Sequence, residues 1–472
     1  MKKFKIITLF VSILAFISCE NQLDVIPEDN VATNTVFSSR ATINGAVVGI
    51  YSKNQSGDLN GMGQLMSDFM SDNVNFVGSF PSLQEVDQFE TLATNTSIDN
   101  IWLDAYELIG AANNVIVNLP PIDINDVTGG LTEEDKTQFV AEAKFLRAVT
   151  YFQLVNLFAQ PFQISGGTNL GVPLVLQPFE GGDISQFQLE RSTVNQVHAQ
   201  IEQDLMEAIA DLPENNGVRA EAGSARALLA RLYLYREQWA QAADFANQVI
   251  QSGQYSLAPN YDFYDNNPTS SEHVFVVVNT PTDGPQEPAG SDEVYVNFYN
   301  PAPGGRGDAP FSQDLLDAFA AEPGDRRFDD LSAPATDAGG NDTFFTTKYP
   351  DITNNASDGM VLRITEMYLI RAEANLRGGT TTGDTPLNDI NLLRNRASLA
   401  NLGSVDLDAI LLERRKELCF EGHRRMDLLR NNLNLRPGGG AATAPGADKV
   451  IFPIVDDEIT NNPNITQNPG NF

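Results

Sequence analysis

The stretch GSARALLARLYLYREQWAQAADFANQVIQSGQ, residues 223–254, decides the fold. Leu229, Ala230 and Tyr233 share one face of a first helix, and Trp239, Ala242 and Ala246 share one face of a second. Small residues let two helix backbones approach while the large ones fill the space between them. Ser252-Gly253 then ends the second helix. Such a pair has the spacing of a tetratricopeptide unit, with a period of about 34 residues. A lone pair cannot bury its apolar faces, so neighbouring pairs are expected to stack on it. Those neighbours match the pattern less well, which predicts a partial, irregular superhelix; a plain helical hairpin is the simpler alternative.

Helical periodicity extends outward from this unit. It predicts helices over Ala41–Tyr51, Ile98–Leu119, Glu133–Phe158, Thr193–Leu212, Val361–Leu376, Leu387–Leu399 and Leu407–Asn431. Pro120-Pro121 stops one, because proline donates no hydrogen bond and disfavours the preceding helical turn. Between 252 and 360 the composition turns to Pro, Gly, Asn and Asp, with strand-like pieces at His273–Val278 and Val294–Phe298. Another loop runs from Asn73 to Asn95. The expected fold is all-α: a tetratricopeptide-like helical superhelix with a long loop-rich insertion and a few short strands. Irregular segments on a rigid helical body are where binding specificity usually resides.

The chain has 472 residues and opposes 30 Lys+Arg to 62 Asp+Glu, a net charge of −32. So acidic a surface repels phosphate backbones and anionic lipid headgroups, which argues against nucleic acid and against a densely sulfated polymer. Two cysteines, Cys19 and Cys419, make no disulfide framework. Cys419 reads as a buried free thiol in an apolar helical stretch.

Met1-Lys2-Lys3-Phe4-Lys5 followed by an apolar run from Ile6 to Ile17 reads as a secretory signal, too short to span a bilayer. Ser18-Cys19-Glu20 closes that run in the manner of a bacterial lipobox, although Phe16 and Ile17 fit the usual preceding pattern loosely. On that reading residues 1–18 are removed, and the loss of three lysines takes the net charge from −32 to −35. Cys19 then carries acyl chains, which at about 0.8 kcal/mol per buried methylene hold a protein on a membrane. The alternative is an ordinary cleaved signal with an incidental cysteine. Residues 19–40 form the lipidated tether and lead-in segment, and 41–472 a single domain.

Several blocks, in order along the chain, resemble the SusD/RagB family of Bacteroidetes lipoproteins. They are LDVIP (23–27), IWLDAY (101–106) running into ANNVI (112–116), AEAKFLRA (141–148) with YFQLVNLF (151–158), RITEMYLIRAEA (363–374), NLLRNRA (391–397), ERRKELCFEGHRRMDL (413–428) and NPNITQNPG (462–470). The resemblance implies an all-α fold of tetratricopeptide-like pairs, displayed on the outer membrane as a lid on a SusC-like TonB-dependent transporter. It also implies capture of oligosaccharides, or of peptides in the RagB branch, without catalysis and without a cofactor.

Read as chemistry, the sequence offers little for an enzyme. The block from Glu413 to Asp427 is charge-rich and contains His423, but pairs three and four residues apart read as helix-stabilising contacts. His198, His273 and His423 are isolated, so no zinc site is expected. Structural calcium stays open, with Asp325–Asp330 and Asp262–Asn266 as oxygen sources lacking EF-hand spacing. Paired carboxylates could serve a glycosidase, but among 62 acidic residues such pairs are unavoidable. Trp102 and Trp239 read as structural, so a sugar-stacking surface must come from loop Phe and Tyr. The candidate ligand contacts are Phe76, Phe80, Tyr295, Phe298 and Tyr299, each of which reads equally as local core of its loop. Asp68, Asp72, Asn73, Asn75, Asn297 and Asn300 are the polar partners nearby. A neutral oligosaccharide of β-glucan type is the favoured ligand.

Overall fold

The computed structural model describes residues 33–179, 181, 183–265, 268–285 and 294–470. The signal segment and Cys19 lie outside them. The chain is built on helices α1 (Arg40–Asn54), α2 (Gly63–Phe69), α3 (Pro81–Asp87), α4 (Thr96–Asn118), α5 (Glu133–Phe158), α6 (Val194–Asp211), α7 (Ala222–Tyr235) and α8 (Trp239–Gln251). Sequence-local chemistry sets several starts: the Thr132 and Thr193 hydroxyls cap α5 and α6 in capping boxes. The unit read first from the sequence is a helical hairpin, α7 against α8. α5 packs on α4 and α6, and α6 packs on α7, so the pairs stack as a superhelix.

After the insertion come α12 (Ile364–Gly378), α13 (Pro386–Arg396), α14 (Leu407–Leu418) and α15 (Arg424–Arg430). α12 lies against α8 and α13. The insertion holds α9 (Tyr295–Tyr299), α10 (Gln313–Ala320), α11 (Arg326–Asp329), and strands β1 (His273–Val277), β2 (Ser332–Thr336), β3 (Asp342–Thr346) and β4 (Gly359–Arg363). β1 pairs antiparallel with β4, clamping the insertion at its base, and β2 pairs with β3 as a hairpin. One apolar cluster runs from Phe37 to Val455 and includes insertion residues such as Tyr295, Phe298 and Phe311.

Three expectations are corrected. Val294–Phe298 is not a strand: Tyr295–Tyr299 forms a single helical turn whose side chains are all buried. Val361–Arg363 belongs to β4, and the following helix starts at Ile364. Leu407–Asn431 is two helices, broken where Phe420 (φ +64°) and Gly422 (φ +74°) adopt the left-handed conformation. A Cβ on Gly422 would stand 2.9 Å from the Gln64 Cα, so close packing against α2 also requires glycine there.

The charge-rich block around 413–427 is structural, but in another way than helix-surface pairs. Its charges point inward and pair with distant elements. Glu417 and Glu421 meet Arg363 at 2.9 Å each, Arg396 meets Glu417 at 2.6 Å, and Lys348 meets Glu421 at 2.7 Å. Glu413 joins Arg327 and Arg394, Arg414 joins Glu366 and Asp427, and Arg430 joins Glu373. A buried charge is tolerated only when paired and hydrogen-bonded. Burial lifts Cys419 to about 11, as expected for an inert core thiol.

Candidate ligand-binding cleft

A cleft of about 490 Å³ opens where the 71–75 segment meets the insertion. Its walls are stitched backbone to backbone. Val74 bridges antiparallel to Phe311, the Asn75 amide donates to the Pro310 carbonyl at 3.1 Å, and the Ser312 amide donates to the Asn73 carbonyl at 2.9 Å. The Ser312 hydroxyl accepts from the Leu315 amide as the cap of α10 and donates to the Asp72 carbonyl at 2.6 Å. The opposite lip is the β2–β3 turn, in which Asp337 accepts from the Asn341 amide at 2.8 Å and Gly340 supplies φ +86°. Arg436 and Pro437 complete the lining.

Asp72, Asp314, Asp337 and Asp342 put four carboxylates on this cleft against one lining guanidinium, Arg436. One of them is clamped: Arg424 donates to Asp72 through Nε and Nη2 at 2.6 and 2.8 Å. Arg415 donates to the Asp72 carbonyl at 2.7 Å and the Asn73 Oδ1 at 2.9 Å. Arg436 is turned toward Asp87. The exposed polar residues of the lining are Asn75, Gln313, Asp314, Asn341 and Asp342. The wall is therefore rich in acceptors for hydroxyl or ammonium hydrogens and carries negative potential toward the ligand.

Of the residues singled out from sequence, Asp72 and Asn75 lie on this cleft. Asn73 is fully buried behind it. Asp68 is also fully buried and accepts from the Tyr299 hydroxyl at 2.6 Å; burial raises its carboxyl to about 7. Phe76 is half-buried against Phe69, with centroids 4.6 Å apart. Phe80 is half-buried, edge-on to Phe298 with Arg306 over both rings. Tyr295, Phe298 and Tyr299 offer no open ring face, which corrects their reading as a stacking platform. Tyr295 donates to the Ser357 carbonyl and covers Gly61, and Tyr299 stacks on Tyr349. Tyr295 and Tyr299 instead anchor the insertion, the first against Gly61 and the second on Asp68 of α2. Asn297 is buried too, and Asn300 donates to the Val296 and Tyr349 carbonyls.

Sequence reasoning missed Asp314, Asp337, Asn341, Asp342 and Arg436. The Asp-Ala-Gly-Gly-Asn run at 337–341 carried a legible turn signal, but nothing local placed that turn opposite Asp72. Among the described residues no group of three or more His, Cys, Asp or Glu side chains is placed to hold a metal ion. Asp325 is engaged by Arg327 at 2.7 Å, and Asn266 lies outside the described residues. Burial lowers His198 to about 3 and His423 to about 4, so both are neutral at pH 7. No described helix is long and apolar enough to cross a membrane.

Comparison with known proteins places the chain. Residues 21–234 match a SusD-like family described as starch-binding and associating with the outer membrane, and residues 337–470 match the SusD family. A SusD-like protein, P2, of Formosa agariphila is 27% identical over the whole of both chains. Another from that organism, P25, is 27% identical over 58% of this chain and 51% of its own length. The starch-binding protein SusD of Bacteroides thetaiotaomicron is 25% identical, covering 73% of this chain and 75% of its own. Among solved structures, a SusD superfamily protein of Bacteroides vulgatus superposes with a TM-score of 0.80 at 26% identity, over 92% of this chain and all of that one. A laminarin-binding SusD-like protein superposes with a TM-score of 0.73, also at 26% identity and with the same coverage. With both halves matched and the fold shared along nearly its whole length, the chain belongs to the SusD family.

Proposed function

We propose that this chain captures a neutral oligosaccharide in the cleft between the 71–75 segment and the insertion, without cleaving it, and delivers it to a SusC-like TonB-dependent transporter. Acyl chains on Cys19 would hold it on the outer membrane, facing outward. The observation that carries the reading is the cleft itself: an open groove, rich in acceptors, on irregular segments fixed to a rigid helical stack. Its carboxylates disfavour sulfated and uronate-rich glycans. Asp72 is bound by two arginines and Asp337 by a turn, which leaves neither free for acid–base work. Laminarin binding by one structural neighbour and starch binding by one relative support a glucan as ligand.

A second reading, capture of a short basic peptide, is favoured by the absence of an open aromatic face among the described lining residues, where Phe311 is buried. Calorimetry with laminarin, soluble starch, a sulfated glycan and a lysine-rich peptide separates the two. Saturable binding of a neutral glucan supports the first reading, peptide binding alone the second, and release of reducing ends would overturn the non-catalytic assignment.

A further inference from the structure

Arg436 lines the cleft, yet its guanidinium is committed elsewhere. It closes the carboxyl ends of two short helices at once. Its Nη2 donates to the carbonyl of Phe69, the last residue of α2, and to the carboxylate of Asp87, the last residue of α3. The final carbonyls of a helix have no partner within it, and a nearby arginine can satisfy them. The third side of the seat is the Phe89 ring, whose centroid lies 5.3 Å from the guanidinium carbon. Phe89 reaches that place through the turn that ends α3: it adopts φ +59°, and the following amide, Glu90, donates to the Glu85 carbonyl at 2.8 Å.

This seat decides the field in the cleft. Among the described lining residues Arg436 is the only cation. Asp72 is matched by Arg424, and Arg436 is matched by Asp87. Asp314, Asp337 and Asp342 remain as lining charges with no ion pair among the described residues. Asp87 is not part of the lining, and its side chain is 20% exposed against 31% for Arg436.

We propose that Asp87 sets the charge selectivity of the cleft from outside it: by pairing with Arg436 it cancels the one positive charge on the wall and so keeps anionic ligands out. The inference rests on the cleft being the ligand site. Asp87 touches no ligand and acts through Arg436, as a positioning residue. Its signature is one of sign. Removing the carboxylate alone uncovers a positive charge at the wall. Removing the guanidinium alone adds a fourth unmatched negative charge beside the other three. Removing both leaves the net charge of the wild type. Damage to the two helix ends would instead weaken neutral and anionic ligands alike in all three variants.

The test is calorimetry of the mature chain with laminarin and with a lightly sulfated laminarin at low salt, read as the ratio of the two affinities. Asp87→Asn shifts the ratio about threefold or more toward the sulfated ligand, and Arg436→Gln shifts it by a similar factor the other way. The double variant returns it to the wild-type value, and the Asp87→Asn shift disappears in about 0.5 M salt. If Arg436→Gln does not fold, the Asp87→Asn shift and its salt dependence decide. No shift in Asp87→Asn, shifts of one sign in both single variants, or a double variant that keeps the Asp87→Asn shift would overturn the inference. Gln313→Trp, which fills the groove, judges the cleft reading separately. Laminarin binding that survives it would remove that reading and this inference together, whereas its loss alongside an unshifted Asp87→Asn ratio would remove this inference alone.

Discussion

Replacing Arg363 by methionine tests whether the buried ion network holds the insertion to the helical stack. Arg363 is 2% exposed at the end of β4 and reaches Glu421 and Glu417 at 2.9 Å and Glu272 at 3.3 Å. Methionine fills much of its volume but leaves three carboxylates sharing fewer cations: Lys348 for Glu421, Arg396 for both Glu417 and Glu272, and Arg327 at 3.8 Å from Glu417. Removing one partner from a buried pair costs about 3–5 kcal/mol. Unfolding entropy of about 2.1 cal/mol/K per residue amounts to about 1 kcal/mol/K for a chain of this length. The melting temperature should therefore fall by about 3–5 °C in calorimetry at pH 7. Adding Glu421→Gln removes one stranded charge, so the double variant should lose less than the sum of the two single ones, with a coupling of about 0.5–3 kcal/mol. A melting temperature within 1 °C of wild type for Arg363→Met, or strict additivity in the cycle, would refute the reasoning.

Acid should destabilise the fold in two stages. Burial depresses His198 and His423 to about 3 and 4, so their contribution is complete above the unfolded value near 6.5 and is lost as pH falls toward 4. Arginines hold the buried Glu417 at about 2 despite desolvation, so its contribution is lost below about 4.5; melting temperatures from pH 7 to 3 check both stages. Asp68 runs the other way: its folded value near 7 lies above the unfolded one, so its ionisation costs stability as pH rises. Asp68→Asn should gain on wild type between about pH 4 and 7, with the gap constant above. Arg424→Ala should weaken glucan binding at least several-fold in calorimetry and also lower the melting temperature, because the buried Asp72 is left with Arg415 as its cation. Asp314→Asn with Asp342→Asn should improve binding of sulfated glycans relative to neutral ones, an effect that shrinks at high salt. Cys19→Ala should move the protein from the membrane fraction to the soluble one.

Much of the fold was legible because its signals are local. The small and large residues of 223–254 marked a helix pair, and Pro120-Pro121 bounded a helix close to where it ends. Trp239 and Cys419 were read as structural, and both are buried or half-buried in packed surroundings. The site was legible only in part. Asp72 and Asn75 were found because the irregular 73–95 segment follows them or contains them. Asp314, Asp342 and Arg436 were not, because their relevance depends on contacts across more than 200 residues of chain, such as Ser312 to Asp72. Tyr295, Phe298 and Tyr299 misled for the same reason: in a Pro/Gly-rich segment an aromatic reads equally as an exposed platform or as an anchor. The anchor reading holds because Gly61 and Tyr349 offer faces that the sequence does not announce.

By itself the amino-acid sequence determined the helical stack, the acidic character, the signal-like start and the family, because periodicity, capping and composition act over a few residues or over none in particular. Tertiary structure alone decided that the charges of 413–427 turn inward, which aromatics are core, and where the cleft opens. Those outcomes depend on which distant surfaces meet. A buried guanidinium or an open groove exists only once the partner that pairs or fails to cover it has arrived from elsewhere in the chain.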